Sequence, residues 1–502
     1  MNLSELIKKL DKREIIGDID VNIDNISYDS RNISPNSLFF AIRGLNHDGH
    51  KFINEAINKG AIGVISERKI ENIKESVVFI LVDNSRKALG AVSAIFYGDP
   101  SSKLSIIGIT GTNGKTTISY LIESILNEAG LNTGIIGTIN YRFRDRIYLS
   151  VNTTPESLEL QRILKEMLDS GISHVIMEVS SHAIHQGRVD TCNFDVAVFT
   201  NITRDHLDYH GDMESYFWAK KRLFNNILIE SNKRDKYAVI NIDDRFGREI
   251  IDDFQGRYIT YGKSDEAIIK PENINLSLSG IDGKVYTPKG YIHISSSLIG
   301  EHNLYNILAA IGVSISLNIS IEYIVSGINN LRYIPGRMER IENKKGYNIF
   351  VDYAHTPDAL EKILSILKHL TKGRLITVFG CGGDRDKSKR PLMGSIASKY
   401  SDISIVTSDN PRSEDPEDII SQIEMGINIK RCNEERLLSR GIEKGYISIV
   451  DRRKAIEKAI MAANPDDTVI IAGKGHEDYQ IIRNRKVHFD DREEVRRILN
   501  EI

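Results

Sequence analysis

The sequence predicts an α/β protein of three domains: a small N-terminal α/β domain, a central domain on a mostly parallel sheet, and a C-terminal Rossmann-like domain. Three observations carry this. The chain has 502 residues, too many for one ordinary core. Short apolar runs alternate with helical segments over most of its length, the pattern of parallel α/β sheets. Two clusters of turn formers, Tyr97-Gly98-Asp99-Pro100-Ser101-Ser102 and Tyr333-Ile334-Pro335-Gly336, interrupt that alternation. They set the expected domains at 1–98, 99–333 and 334–502.

In the first domain, residues 38–42, 61–66 and 77–82 are apolar runs of strand length, and the first ten residues read as a short amphipathic helix. The central domain opens with a strand at 104–110, a Gly-rich turn and a helix at 118–129. Strands follow at 175–179, 196–200 and 238–242, and helices at 302–317 and 321–330 close it. The last domain repeats the alternation more cleanly. Strands fall at 348–351, 375–379, 403–407, 446–450 and 468–472, with helices beginning near 358, 390, 416 and 452. That is a doubly wound pattern.

Composition narrows the function. The chain carries 66 Lys+Arg against 69 Asp+Glu, a net charge of −3. So even a balance argues against a nucleic-acid partner. Cys192, Cys381 and Cys432 are widely spaced, which offers no disulfide framework or zinc site and suits a reducing compartment. No apolar run is long enough to span a bilayer, and the N-terminus lacks the form of a signal peptide. A cytoplasmic protein without a membrane partner is expected.

Gly111-Thr112-Asn113-Gly114-Lys115-Thr116-Thr117 sits between strand and helix. Backbone N–H groups of such a turn form an anion site, Lys115 reaches the outer phosphates and Thr116 suits Mg²⁺. The strict nucleotide pattern has Gly where this chain has Ile109, so the match is to a variant. An ordinary Gly-rich turn is the plainer alternative, but the strand-loop-helix context favours a P-loop domain of ATPase type. Glu178 and His206 end successive strands among other polar residues. Glu178 suits Mg²⁺ as an oxygen ligand, with His206 as a second-metal ligand. A satisfied core histidine is the bland reading of His206.

In open α/β sheets, ligands bind beyond the carboxyl ends of the strands. Four polar, Gly- or Pro-rich loops fall there in the last domain: Asp352–His355, Gly380–Arg385, Ser408–Arg412 and Gly473–Glu477. Four such loops on one rim point to a site.

The motifs together resemble the Mur ligase family across essentially the whole chain. They are GTNGKTT at 111–117, NTTP at 152–155, MEVSSHAIHQGR at 177–188 and DHLDYHGDM at 205–213. AKKRLF at 219–224, EHNLYN at 301–306, PGRME at 335–339, DYAHTPDAL at 352–360 and AGKGHEDYQ at 472–480 complete the set. The resemblance implies an ATP-dependent acid–amino-acid ligase of peptidoglycan precursor synthesis. Its first domain would hold a UDP-linked substrate, its second ATP, and its third the incoming amino acid. The reaction would proceed through an acyl phosphate, and a monomer is expected.

Residue by residue, the resemblance implies ATP contacts from Gly111 to Thr117 and from His302, Asn303, Arg337, Asp352 and His355. It implies UDP-substrate contacts from Ser30, Asn46, His47, Asn152, Thr153, Thr154, Ser180, Gln186 and Arg188. It also implies that Lys220 is carbamylated and joins Thr116, Glu178 and His206 around the metals, with Lys115, Glu178, His206 and Lys220 catalytic. Read on its own, the Lys220-Lys221-Arg222 run is a solvated basic face.

The Asp409-Asn410-Pro411-Arg412 loop matches members that add meso-2,6-diaminopimelate to UDP-N-acetylmuramoyl-L-alanyl-D-glutamate, with Arg385, Gly473 and Glu477 at the remaining matching positions. Diaminopimelate is lysine with a carboxylate beside its distal amine, and arginine's planar fork suits that carboxylate. Glu477 would pair with the distal ammonium. L-lysine addition by the same chemistry is the alternative. A folate-glutamate ligase and a nucleotide-switched binding module are the remaining readings. The first lacks the NTTP and DNPR combination, and the second has no use for the Arg385, Arg412 and Glu477 rim.

Overall fold

The computed structural model describes residues 1–44, 47–70, 74–433 and 444–501. The chain forms two compact units. The first comprises Met1–Asn273, Gly283–Ile294 and His302–Asn330; the second comprises Ile274–Asp282, Ser295–Glu301 and Leu331–Ile502.

The first unit contains two sheets. Strands β1 (Lys12–Ile16), β2 (Asn25–Ser27), β3 (Ser37–Phe40), β4 (Ala61–Ser66) and β5 (Val78–Val82) form a sheet of order β1-β5-β4-β3-β2. All neighbours are parallel except β1 with β5. The helix Ser85–Phe96 is started by Asn84, whose side chain accepts from the N–H groups of Arg86 and Lys87. Its Ala88, Leu89 and Val92 pack with Leu38, Phe40, Ile65 and Ile80. The amphipathic start is helical only over Leu3–Leu6. Its Leu3 and Leu6 are buried, so tertiary packing sustains a turn too short to stand alone.

The second sheet carries β6 (Ser105–Thr110), β7 (Thr133–Ile136), β8 (Asn140–Phe143), β9 (Arg146–Leu149), β10 (His174–Glu178), β11 (Val196–Phe199), β12 (Tyr237–Asn241) and β13 (Arg257–Tyr261). Its order is β13-β12-β11-β6-β10-β7-β8-β9, parallel except for the β8 and β9 hairpin edge. Val, Ile and Ala dominate β6, β10, β11 and β12, as sheets covered on both faces require. Strand β6 lies between β10 and β11, with Ile109 opposite both Glu178 and Val198. That register sets the phosphate loop between the ends of two neighbouring strands. The helix Lys115–Glu128 packs against Ile321–Asn330. They cross closely enough that a Cβ on Gly327 would lie 2.4 Å from the Ile125 backbone. A further three-stranded sheet is made by β14 (Lys270–Ser277), β15 (Gly280–Thr287) and β16 (Gly290–Ser296).

In the second unit, β17 (Glu339–Arg340), β18 (Asn348–Asp352), β19 (Leu375–Phe379), β20 (Ile403–Val406), β21 (Gly445–Ser448) and β22 (Thr468–Ala472) form a sheet of order β17-β18-β22-β19-β20-β21. All pairs are parallel except β17 with β18. The four rim loops expected from the sequence follow β18, β22, β19 and β20, which are consecutive neighbours in this sheet. Helices Pro357–Leu370, Lys389–Tyr400, Pro416–Glu424, Arg452–Ala462 and Asp491–Glu501 cover its faces. A hairpin of β23 (Tyr479–Ile482) and β24 (Arg485–His488), not anticipated from the sequence, follows the last rim loop. Among the described residues no helix is long and apolar enough to cross a membrane.

Candidate active site

The phosphate loop is built on two glycines. Gly111 has φ +146° and Gly114 has φ +91°, and a Cβ at either would lie within 2.4 Å of Thr200 Oγ1 or Asn306 Oδ1 respectively. Only glycine fits such a backbone. The helix begins at Lys115, not at residue 118, so Lys115, Thr116 and Thr117 form its first turn, where N–H groups have no intrahelical acceptor. The Lys115 ammonium folds back onto the carbonyls of Gly111 and Thr112, each at 2.8 Å. Thr200 and Asn201, beyond β11, hold Asn113 from the other side, Thr200 Oγ1 donating to its carbonyl at 2.6 Å and Asn201 Oδ1 accepting from its N–H at 3.1 Å. On the helix Glu301–Ser316, Asn303 and Asn306 are buried and hydrogen-bonded to each other at 2.9 Å. Asn306, which abuts Gly114, was not anticipated. His302 is the second residue of the same helix and is exposed.

Glu178 is the hub of the neighbouring strand end. It is buried, and its Oε2 accepts from Thr116 Oγ1 at 3.1 Å and from Thr138 Oγ1 at 2.8 Å. Its Oε1 accepts from the Thr138 N–H at 3.1 Å. A Cβ on Gly137 would lie 2.5 Å from that oxygen. Gly137 and Thr138 gave no sequence signal, because their partner lies on another strand.

The NTTP segment threads into the same cluster. Thr153 Oγ1 is 3.2 Å from Thr138 Oγ1, and Thr154 Oγ1 donates to the Glu178 carbonyl at 2.8 Å. Thr154 Oγ1 accepts from the Ser180 N–H at 3.0 Å, and its carbonyl accepts from Arg188 Nη1 at 3.0 Å. Arg188 also grips Gln186 Oε1, with the shorter contact at 2.6 Å. The Asn152 carbonyl is held by Tyr141 Oη and Ser150 Oγ. The structure therefore brings Asn152, Thr153, Thr154, Ser180, Gln186 and Arg188 together around Glu178. Ser30 and His47 line a cavity of about 570 Å³ with Tyr28, Arg86 and Glu156, and Glu156 Oε1 lies 3.6 Å from Arg188 Nε. Asn46 lies outside the described residues.

Lys220 is not on a solvated face. It is 1% exposed, its Nζ is 3.1 Å from the Gly111 carbonyl and 4.6 Å from the Tyr216 ring centre, and no carboxylate among the described residues pairs with it. Burial, with Lys115 nearby, pushes its pKa well below the ordinary lysine range. His206 is half-exposed in the left-handed region at φ +52°, with its ring 4.9 Å from His182 and 6.2 Å from Tyr216. Burial lowers its pKa too. None of the hydrogen bonds of His206 or Lys220 reaches Glu178. Among the described residues no group of three or more His, Cys, Asp and Glu is arranged to hold a metal. Magnesium needs no such group; a carboxylate, a hydroxyl, waters and phosphate oxygens suffice. Thr116 Oγ1 and the Glu178 carboxylate, 3.1 Å apart, are the hard oxygens that could hold such an ion.

In the second unit, Asp352 uses both carboxylate oxygens on backbone, accepting from the N–H groups of Met338, just before β17, at 2.7 Å and of Ala354 on its own loop at 2.8 Å. Arg337 lies over the Tyr353 ring, 5.1 Å from its centre. His355 Nδ1 is 2.9 Å from the Tyr353 carbonyl. His476, also not anticipated, packs against Tyr353, ring centres 5.0 Å apart, with burial lowering its pKa to about 4.

The loops after β19, β20 and β22 interlock. Asn410 donates to Glu477 Oε2 at 3.0 Å and accepts from the Ile481 N–H at 2.9 Å. Arg412, at φ +52°, donates from Nη1 to the Gly383 carbonyl at 2.8 Å. Gly473, at φ +118°, leaves space for Asp409, whose Oδ2 would lie 2.9 Å from a Cβ there. Pro411 is buried, and Arg385 is exposed at the lip. Thus Asp409, Asn410, Pro411, Arg412, Gly473 and Glu477 form one constellation, with Arg385 beside it.

Comparisons with known proteins show the family. Family models match residues 22–97 (Mur ligase family, catalytic domain), 109–314 (Mur ligase middle domain) and 336–475 (Mur ligase, glutamate ligase domain). A UDP-N-acetylmuramoyl-L-alanyl-D-glutamate–2,6-diaminopimelate ligase of Geobacter metallireducens is 46% identical, covering 100% of this chain and 99% of its own. One of Clostridium tetani is 43% identical, covering 100% of both. A solved structure of a ligase of the same name matches with a TM-score of 0.73 at 33% identity, over 100% of this chain and 99% of its own. With full-length likeness at this level, and with the phosphate loop, the Glu178 cluster and the β19–β22 rim all in place, the chain belongs to the Mur ligase family.

Proposed function

We infer that the protein is the ATP-dependent ligase that joins meso-2,6-diaminopimelate to UDP-N-acetylmuramoyl-L-alanyl-D-glutamate in cytoplasmic peptidoglycan precursor synthesis. The observation that carries the reading is that one loop constellation presents both an arginine, Arg412, fixed on the Gly383 carbonyl, and a carboxylate, Glu477, held by Asn410. A diaminopimelate end bears one carboxylate and one ammonium. Arg412 and Glu477 offer the complement of each. The relatives named for this reaction, similar over their full length, support the same substrate.

Bound ATP with Mg²⁺ supplies the phosphoryl group that turns the substrate carboxylate into an acyl phosphate. The first-turn N–H groups of Lys115–Thr117 and the Lys115 ammonium neutralise phosphate charge. Thr116 and Glu178 would hold the metal, and Thr138 fixes the Glu178 carboxylate. Lys220, beside the phosphate loop, would act as a carbamate, and His206 would hold a second metal. Thr154, Ser180, Gln186 and Arg188 position the peptide end of the UDP substrate, and the cavity of Ser30 and His47 takes its nucleotide end. Residues 1–98, 99–333 and 334–502 thereby divide the work among UDP substrate, ATP and amino acid.

Phosphate release tests the reading, with UDP-N-acetylmuramoyl-L-alanyl-D-glutamate, ATP and Mg²⁺ and with meso-diaminopimelate, L-lysine or neither. Release with diaminopimelate alone is expected. Release with lysine alone would discard the Arg412 assignment, and silence with both would discard the UDP substrate.

A further inference from the structure

Lys474 lies between two glycines in a Gly-Lys-Gly sequence that, on a rim loop, would ordinarily read as a hand for phosphate. The structure places it otherwise. Gly473 and Gly475 both have positive φ, +118° and +54°. A Cβ on Gly475 would lie 2.7 Å from Tyr353 Cβ. This bent backbone turns the lysine inward, and its side chain is 0% exposed. Its Nζ is 3.4 Å from Glu477 Oε2, 3.5 Å from Asn410 Oδ1 and 3.8 Å from Asp409 Oδ1, with the Tyr479 ring centre at 5.4 Å.

We propose that Lys474 is a positioning residue: a buried counter-ion that holds the Glu477 carboxylate aimed at the distal ammonium of the incoming amino acid. This rests on the reading of Glu477 as the partner of that ammonium.

The charge balance explains the need. Asp409 and Glu477 bring two carboxylates to one small volume, 3.8 and 3.4 Å from the Lys474 Nζ, and a buried cation between them offsets their repulsion. The nearby Arg452 guanidinium is engaged by Asp491 through contacts of 2.7 and 2.6 Å. Lys474 neutralises one of the two charges from within the protein and leaves one for the ligand. Besides the Asn410 amide, the charged and titratable groups facing Glu477 are the cations of Lys474 and Arg452, the Asp409 carboxylate, and the phenols of Tyr353 and Tyr479. Burial raises the Glu477 pKa, and Lys474 opposes that rise. Without Lys474, Glu477 takes up its proton at higher pH and ceases to attract an ammonium.

The test is steady-state phosphate release by the full-length enzyme. Lys474→Met should raise the KM for diaminopimelate about tenfold or more and leave the KM for ATP unchanged. The KM for diaminopimelate should climb as pH falls below neutrality, over a range where the wild type stays flat. A diaminopimelate KM and pH profile unchanged from wild type would overturn the proposal. Should Lys474→Met not fold, the double variant Lys474→Met/Glu477→Gln compared with Glu477→Gln alone decides. With Glu477 already neutral, loss of Lys474 should add nothing to the diaminopimelate KM, whereas a merely structural lysine would add its own penalty. A wild type that consumes lysine instead moves the same comparison to lysine, because both amino acids carry the ammonium. A wild type that consumes neither overturns the functional reading itself, and this inference with it.

Discussion

The Nζ of Lys220, on the helix Met213–Arg222, lies 3.1 Å from the carbonyl oxygen of Gly111, the first residue of the phosphate loop. The same carbonyl accepts from the Lys115 ammonium at 2.8 Å. Two ammonium groups on one carbonyl repel each other, and the fully buried one releases its proton more readily. A neutral amine held there can attack CO₂, forming an N–C bond and releasing a proton, which gives a carbamate in place of a cation.

The first prediction follows from that pair. Lys220→Ala should lose activity by about 100-fold or more, as expected when a metal-site group is removed. Removing CO₂ should slow the wild-type enzyme and added bicarbonate should restore it, whereas bicarbonate should not restore the variant. Phosphate-release assays in degassed buffer read both effects. A wild type indifferent to CO₂ would remove the carbamate and leave Lys220 as a buried amine.

Arg412→Ala should lower kcat/KM for diaminopimelate by roughly 100-fold while leaving the KM for ATP unchanged. The guanidinium hydrogen-bonds within the protein only to the Gly383 carbonyl among the described residues, so most of its five donors are available for a carboxylate. Selectivity between diaminopimelate and lysine is the quantity to measure. Unchanged selectivity in the variant would show that Arg412 does not read the distal carboxylate.

The sequence makes some of this legible and hides the rest for physical reasons. A phosphate loop needs Gly, Lys and Thr at fixed local spacing, so Gly111–Thr117 is visible in one dimension. The rim loops are visible as well, because strand ends and turn formers are local. Strand order is not local. Nothing between residues 116 and 178 announces that β6 and β10 are neighbours and that Thr116 hydrogen-bonds to Glu178. Thr138 and Asn306 stay hidden for the same reason. Lys220 misleads in another way, since a Lys-Lys-Arg run has the composition of a surface. Only tertiary packing puts Lys220 and Lys221 inside, Lys221 on Asp253 and the Phe217 and Trp218 rings.

The acid limb of stability should depend on Glu414. Arg390, fully buried, grips both its oxygens at 2.9 Å, and this hydrogen bonding holds the Glu414 pKa at about 2. A carboxylate depressed in the folded state contributes stability that is present above its unfolded pKa and lost as pH falls through its folded one. The contribution should therefore be full above the ordinary glutamate range, near 4.5, and gone below about 2. Urea unfolding of wild type and Glu414→Gln should differ at neutral pH and converge as pH falls through that window. Parallel curves throughout would mean that the pair adds no proton-linked stability. Because Glu414 also accepts from the Asp384 N–H at 2.6 Å, the variant should loosen the loop carrying Arg385.

The last prediction concerns Thr138, which touches the candidate metal carboxylate without being a ligand itself. Its hydroxyl donates to Glu178 Oε2 at 2.8 Å and its backbone N–H to Oε1 at 3.1 Å. Valine has the same shape as threonine without the hydroxyl, so Thr138→Val removes the first bond and keeps the second. The Glu178 carboxylate then loses one of the donors that orient it towards Thr116. Outer partners of this kind tune metal affinity by about tenfold or more. Thr138→Val should raise the Mg²⁺ concentration needed for half-maximal activity by that factor and leave kcat at saturating Mg²⁺ near the wild-type value. The cost in folding stability should be on the order of 1 kcal/mol, small enough for the variant to be purified and compared. A Mg²⁺ dependence unchanged from wild type would separate Glu178 from the metal and return the Thr116–Thr138–Glu178 cluster to a structural role at the end of β10.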